Sequence, residues 1–341
     1  MPDNWQGGDW RRCQVGVKRV QYFFLSASLL VLANGQNVLA AQDLLALKSM
    51  CLSRMPIDQS ETCHSAIYAA QSIRRLITIA DGVGSETAGS SSVIGRKNTE
   101  GLVSRNFSMS LSTSVVKGET PSLGVLRSGQ NMKNGLDIYG IKATIVAGIF
   151  EGLTISPGVR GILGVDILGS FSSQFLFWEN ELPSKKMGMG SLGFRLGILR
   201  ESFSVPGITV SFVRQFESAL EVQSPRTDHT DLLIKSESTR LRATIGKDLG
   251  GFSVLTGVGW NRNAGLLQGT IPGMLLKIAH TFSSEFTQET QRLYFASLSF
   301  TKTVFQWSFE FGLAEGLDGS YLEYGSSGLT PFGQVALRTR F

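Results

Sequence analysis

Three histidines, His64, His229 and His280, are the only side chains whose ordinary pKa suits proton transfer near neutrality. Asp228 precedes His229 and Asp231 follows two residues later, so a carboxylate could orient the imidazole as a general base. His280 and Ser283 lie three residues apart, the types required for an activated hydroxyl nucleophile. Neither grouping is complete. No Asp-x-Asp pair stands in another connection to complete an acid–base site, and the Asp228 cluster equally suits solvated loop charges. Cys51 and Cys63 form an even pair, but no second cysteine pair or histidine cluster offers a metal site. No metal or cofactor is expected. The remaining chemistry lies in scattered charges: Lys142, Arg160, Asp166, Arg195, Arg240, Arg242, Glu310, Arg338 and Arg340.

The elements that carry these residues divide the chain in two. Arg11, Arg12, Lys18 and Arg19 precede a 14-residue apolar run from Val20 to Ala33, and Val38-Leu39-Ala40 follows. A basic flank, a short apolar core and small residues at the cleavage positions read as a signal peptide spanning 1–40. Removing it lowers the net charge from +5 to +3. With no basic cluster left, nucleic acid is not expected as a partner. Export also places Cys51 and Cys63 in an oxidising compartment. A disulfide between them would close a 13-residue loop, contributing ~3 kcal/mol on the loop-entropy model. Residues 41–80 read as a helical hairpin. Met55-Pro56 breaks a first helix, Asp58 and Glu61 resemble a capping box, and Ile67, Ala70, Ile73, Leu76 and Ile77 recur at helical spacing. The hairpin would serve as a periplasmic cap, a plug inside a pore, or a plain extension. Residues 81–102 are rich in Gly, Ser and Thr and read as a linker or short strand.

Beyond residue 102 the period changes from helical to two. Met109, Leu111, Thr113 and Val115 alternate with Ser108, Ser110, Ser112 and Ser114. Phe305, Trp307, Phe309 and Phe311 alternate with Gln306, Ser308 and Glu310. The same dyad returns in ten segments: 103–116, 136–150, 158–172, 188–200, 206–218, 230–248, 250–262, 288–302, 303–316 and 329–341. Strands of about 10–15 residues exceed the globular mean of roughly five or six and suit a membrane crossing of about 9–11. The polar face is mostly Ser, Gly and Thr, and charged residues make up 17% of the chain, against roughly 25% in soluble domains. A sheet with a lipid-facing side must close so that every backbone amide is paired. Short connections at 151–157, 201–205, 249 and 302–303 alternate with long ones at 117–135, 173–187, 219–229, 263–287 and 317–328. The fold expected is all-β: a closed antiparallel transmembrane β-barrel of about ten strands with a small N-terminal helical segment. Residues 88–97 and 272–286 leave room for 12 or 14.

A signal peptide, dyad strands and a last strand ending at Phe341 resemble bacterial outer-membrane β-barrel proteins as a class. The segment from Phe332 to Phe341 is similar to the terminal signal that such proteins present to the barrel-assembly machinery. The resemblance covers 103–341 and implies outer-membrane lipid and that machinery as partners. The N-terminal segment would sit in the periplasm or in the lumen. Omptin-like proteases resemble the ten-strand outline with an Asp–His pair at the rim. An outer-membrane phospholipase resembles the His280–Ser283 pair, but Ser284-Glu285 replaces the residues that follow it there.

By parity Lys142, Arg160, Arg195, Arg240, Arg242, Arg338 and Arg340 point inward against only Asp166 and Glu310. A positive lumen favours anions. The function expected is a narrow channel or transporter for small anionic or amphipathic solutes. The alternative is a structural or adhesive barrel displaying its external loops; a surface hydrolase is a weaker one, and no enzyme activity is expected. On this reading Cys51 and Cys63 of the exported protein resist alkylation until a reductant is added. Intact mass before and after reduction checks it.

Overall fold

The computed structural model describes residues 49, 60–82, 107–121, 133–153, 162–178, 184–202, 205–223, 231–272, 279–302, 304–315 and 329–340. The proposed leader, Cys51, Arg160, His229 and Phe341 lie outside the described residues, as do the side chains of Cys63, His64, His280 and Arg340. The described residues form one long helix, α1 (Ser60–Gly82), and ten strands. The strands are β1 (Phe107–Pro121), β2 (Lys133–Phe150), β3 (Gly164–Trp178), β4 (Ser184–Leu199), β5 (Gly207–Gln223), β6 (Asp231–Asp248), β7 (Phe252–Pro272), β8 (Ala279–Lys302), β9 (Phe305–Ala314) and β10 (Thr330–Arg340).

Each strand pairs antiparallel with its neighbours in sequence, and β1 pairs with β10 to close the ring. The seam runs from Ser108 opposite Arg340 to Val116 opposite Phe332. Closure leaves no edge strand, so the backbone amides along the ring find partners in the adjoining strands. The end where β1 begins and β10 finishes is here the proximal end; the other is the distal end. The proximal turn 249–251 is tight. Gly250 and Gly251 have φ of 84° and 105°, a region where glycine carries no Cβ penalty. Asp248 Oδ1 accepts from both of their amides at 3.1 and 3.3 Å.

The period-two reading sorts the two faces. Leu111, Phe171, Leu192, Trp307 and Phe311 face outward and are 49–62% exposed. Ser108, Ser110, Ser112 and Ser114 face inward and are buried. The ends of the strands differ from the expectation. β7 and β8 run to Pro272 and back from Ala279, so most of the loop expected at 263–287 is paired hairpin. β3 and β4 likewise shorten the loop expected at 173–187 to 179–183. At the proximal end the turn expected at 151–157 extends over 151–163, held by a Leu153–Ile162 bridge. Strict alternation of short and long connections therefore fails. The cause is local: past the apolar outer band, strand pairing needs only a backbone partner, and the sequence no longer carries a strong dyad.

The inward face also changes along its length. Near the proximal end and mid-barrel it is mostly polar, with Val146, Leu168 and Leu255 as buried apolar exceptions. Toward the distal end the inward residues Val116, Leu136, Ile138, Leu176, Met187, Leu220, Ile234, Leu267 and Leu293 are apolar and almost fully buried. They form one cluster with Ile67, Ile73, Leu76, Ile77 and Ile79 of α1. Residues 67–82 of α1 are buried on every face, as expected of a helix enclosed on all sides rather than laid on a surface. The helix packs chiefly on β1 and also on β2, β3, β6 and β7.

Gly118 of β1 makes the closest seat. A Cβ there would stand 2.6 Å from both methyls of Leu76. Gly118→Val should destabilise the protein by ~1–3 kcal/mol through overpacking. Leu76→Ala added to Gly118→Val should recover part of that loss, giving non-additive thermal unfolding of the refolded protein in detergent.

Candidate functional site: the charged chamber at the foot of the helix

A helix ends with carbonyls that lack intrahelical partners. In α1 the last turn lies inside a barrel, where water cannot freely supply donors, and the barrel wall supplies them. Gln174 Nε2 of β3 donates to the Ile77 carbonyl at 2.8 Å. Ser114 Oγ of β1 donates to that of Ala80 at 2.9 Å. Lys142 Nζ of β2 donates to that of Asp81 at 2.7 Å. A cation at this position also complements the negative end of the helix dipole. Each donor is on an inward position, so the sheet pleat that turns Leu111 outward is what points Ser114 at the helix.

The Asp81 carboxylate completes the attachment. Arg240 Nη1 of β6 lies 2.7 Å from Asp81 Oδ2, with both side chains buried. Two positions along the same strand, Arg242 Nη1 donates to Glu310 Oε1 of β9 at 3.2 Å across the lumen. The Arg242 guanidinium also sits 4.5 Å from the centroid of the Phe295 ring, a cation–π distance. Nearer the proximal end Arg195 donates to Asp166, from adjacent inward positions on β4 and β3. Arg338 Nη1 donates to Gln306 Oε1 at 3.4 Å.

Of the nine charges read from the sequence as lumen-lining, Lys142, Asp166, Arg195, Arg240, Arg242, Glu310 and Arg338 are inward and at most 7% exposed. The structure brings Lys142, Arg240, Arg242 and Glu310 to the foot of α1 and leaves Asp166, Arg195 and Arg338 closer to the proximal end. Asp81, Ser114 and Gln174 are essential parts of the site that the sequence reading did not single out. Asp81 falls in the segment read as a linker, although Gly82 closing a helical period marks a helix end. No cluster of metal-ligating side chains occurs among the described residues.

The arrangement can bind and orient charge. Buried ions persist where each finds an opposite charge or a full set of hydrogen bonds, and here the salt bridges connect separate elements. Arg240–Asp81 ties β6 to the helix, Arg242–Glu310 spans β6 and β9, and Arg195–Asp166 staples β3 to β4.

No protein-family model matches this chain, and no curated protein matches it. Solved structures of similar outline include the translocator domain of the autotransporter NalP from Neisseria meningitidis. It is 11% identical over 81% of this chain and 97% of that one, with a TM-score of 0.38. The outer membrane protease OmpT from Escherichia coli is 9% identical over 69% of this chain and 97% of its own, with a TM-score of 0.38. The Ralstonia pickettii toluene transporter TbuX is 9% identical over 78% and 98%, with a TM-score of 0.32. These are likenesses of outline, and no residue role is carried over from them.

Replacing one member of a buried pair leaves the other uncompensated, at a cost of ~3–5 kcal/mol. Asp81→Asn should therefore lower the unfolding temperature sharply. Asp81→Asn combined with Arg240→Gln should lower it much less, because no lone charge remains. Thermal unfolding of the three proteins in one detergent makes the comparison.

Proposed function

We propose that this chain is an outer-membrane β-barrel closed by its own helix. It acts as a surface scaffold that holds the segment preceding Ser60, together with the distal connections, at the outer face of the membrane. The membrane assignment rests on the outward band of exposed Phe, Leu, Ile and Trp around a closed ring. A water-soluble protein rarely exposes so continuous an apolar surface. The distal end, where the β7–β8 hairpin extends furthest, is assigned to the exterior, and the end bearing both strand termini to the periplasm.

The seating of α1 carries the reading. Ile67, Ile73, Leu76, Ile77 and Ile79 are each at most 4% exposed. Exposing such side chains costs ~1.5–3 kcal/mol apiece, so withdrawing the helix costs on the order of 10 kcal/mol. At about 1.4 kcal/mol per factor of ten, the helix-free barrel is a negligible population. A helix held this firmly is a permanent closure rather than a gate. Its direction matters as well. Leu76 lies against Gly118 toward the distal end, and Asp81 lies deeper, beside Lys142. The N-terminal end of α1 is thus the distal one, and the chain enters β1 from the proximal end.

Transport of small anionic or amphipathic solutes is the second reading, favoured by the basic side chains at mid-barrel. Ion pairs from Asp81, Asp166 and Glu310 offset three of those cations. Planar-bilayer conductance separates the two. A scaffold conducts nothing as the full chain and opens an anion-preferring pore when residues 60–82 are deleted. Steady conductance of the full chain would favour transport. An epitope placed before Ser60 should be accessible to antibody on intact cells, and its exclusion would overturn the proposed orientation.

A further inference from the structure

We propose that the chamber beneath α1 is a binding site for one small inorganic oxyanion, of the phosphate or sulfate type, gripped by Arg240 and Arg242. Three observations carry it.

The first is geometry. A small cavity opens below the end of α1, lined by Gly82, Lys142, Arg240 and Arg242, with the hydroxyl-bearing Thr144 and Ser211 on its wall. A Cβ on Gly82 would lie 3.8 Å from Arg242 Nη2 and 3.7 Å from Arg240 Cδ. The cavity therefore borders both arginine side chains, and the glycine keeps that border open.

The second is unused donors. Arg240 and Arg242 are each 3% exposed. Each commits Nη1 to a carboxylate. Nε and Nη2 of both residues meet no acceptor among the described residues. These two atoms are not a random remainder. Nε–H and Nη2–H form the parallel side-on fork of a guanidinium, which matches two oxygens of one oxyanion. Two such forks on neighbouring inward positions of one strand make a site for a single anion, with the Thr144 side chain on the wall beside its remaining oxygens.

The third is charge. Lys142, Arg240 and Arg242 bring three positive charges, while Asp81 and Glu310 bring two negative ones. The end of α1 adds roughly half a negative charge more. The remainder is positive and buried, and a buried excess charge calls for a counter-charge. A halide would offset the charge but offers one centre to both donors of a fork, where an oxyanion offers each donor an oxygen of its own.

The test uses the full chain refolded in detergent, with inorganic phosphate as the probe. At constant ionic strength set by chloride, phosphate should raise the unfolding temperature along a saturating curve, as a ligand specific to the folded state does. Two variants alter the site in different ways. Gly82→Leu fills the border of the chamber and leaves all charges in place. Arg242→Gln with Glu310→Gln removes one fork and its carboxylate together. Each should weaken the apparent phosphate affinity at least tenfold. Crystals soaked in selenate should show an anomalous peak within hydrogen-bond reach of both forks. The proposal is overturned by an equal rise with chloride, by an undiminished phosphate effect in either variant that folds, or by selenate crystals with only water at the forks. These outcomes are independent of whether the barrel conducts.

Discussion

The structure depends on one constraint: a ring of ten strands must fill its own interior. Strand pairing satisfies the wall and leaves a lumen that side chains alone do not pack. This chain fills the distal part with α1 and the remainder with polar residues. The inward face is correspondingly written in two languages. Leu136, Ile138, Leu176 and Ile234 meet the helix flanks, while Ser114, Lys142 and Gln174 meet its last carbonyls. Apolar contact fixes how strongly the helix is held. The polar contacts fix its depth and rotation, because each needs its donor within hydrogen-bond reach of one particular carbonyl.

The outer face and the ring were legible from residue 107 onward because a wall that is apolar outside and polar inside imposes a strict period of two. Leu111, Phe171 and Trp307 stand where parity placed them. Inward charge was legible by the same parity, as Asp166, Arg195 and Glu310 illustrate. Strand ends were not. Past the apolar band the outward residues become polar, and the inward ones become apolar against α1. The dyad therefore weakens in Leu220–Gln223 and in Leu266–Pro272, although pairing continues.

The site was only half legible for a related reason. Period two identifies which charges share a lumen but says nothing about which of them meet. Arg240 and Arg242 read as equivalent neighbours, yet one holds the helix and the other crosses to β9. That division depends on the depth of Asp81, which is set by helix packing far away in sequence. Register and helix depth are tertiary quantities, and no local pattern records them.

The seam between β1 and β10 has a consequence for the order of assembly. The ring cannot close until its last strand exists, since Phe332–Arg340 supplies the partner of Ser108–Val116. The helix packs most heavily on β1, the strand on the other side of that seam. A helix with bulky isoleucine flanks cannot be threaded into a sealed cylinder without exposing them. The first strand and the helix must therefore come together while the sheet is still an open sheet, and the last strand then locks both in place. The element that shuts the lumen is thus already enclosed when the wall is completed.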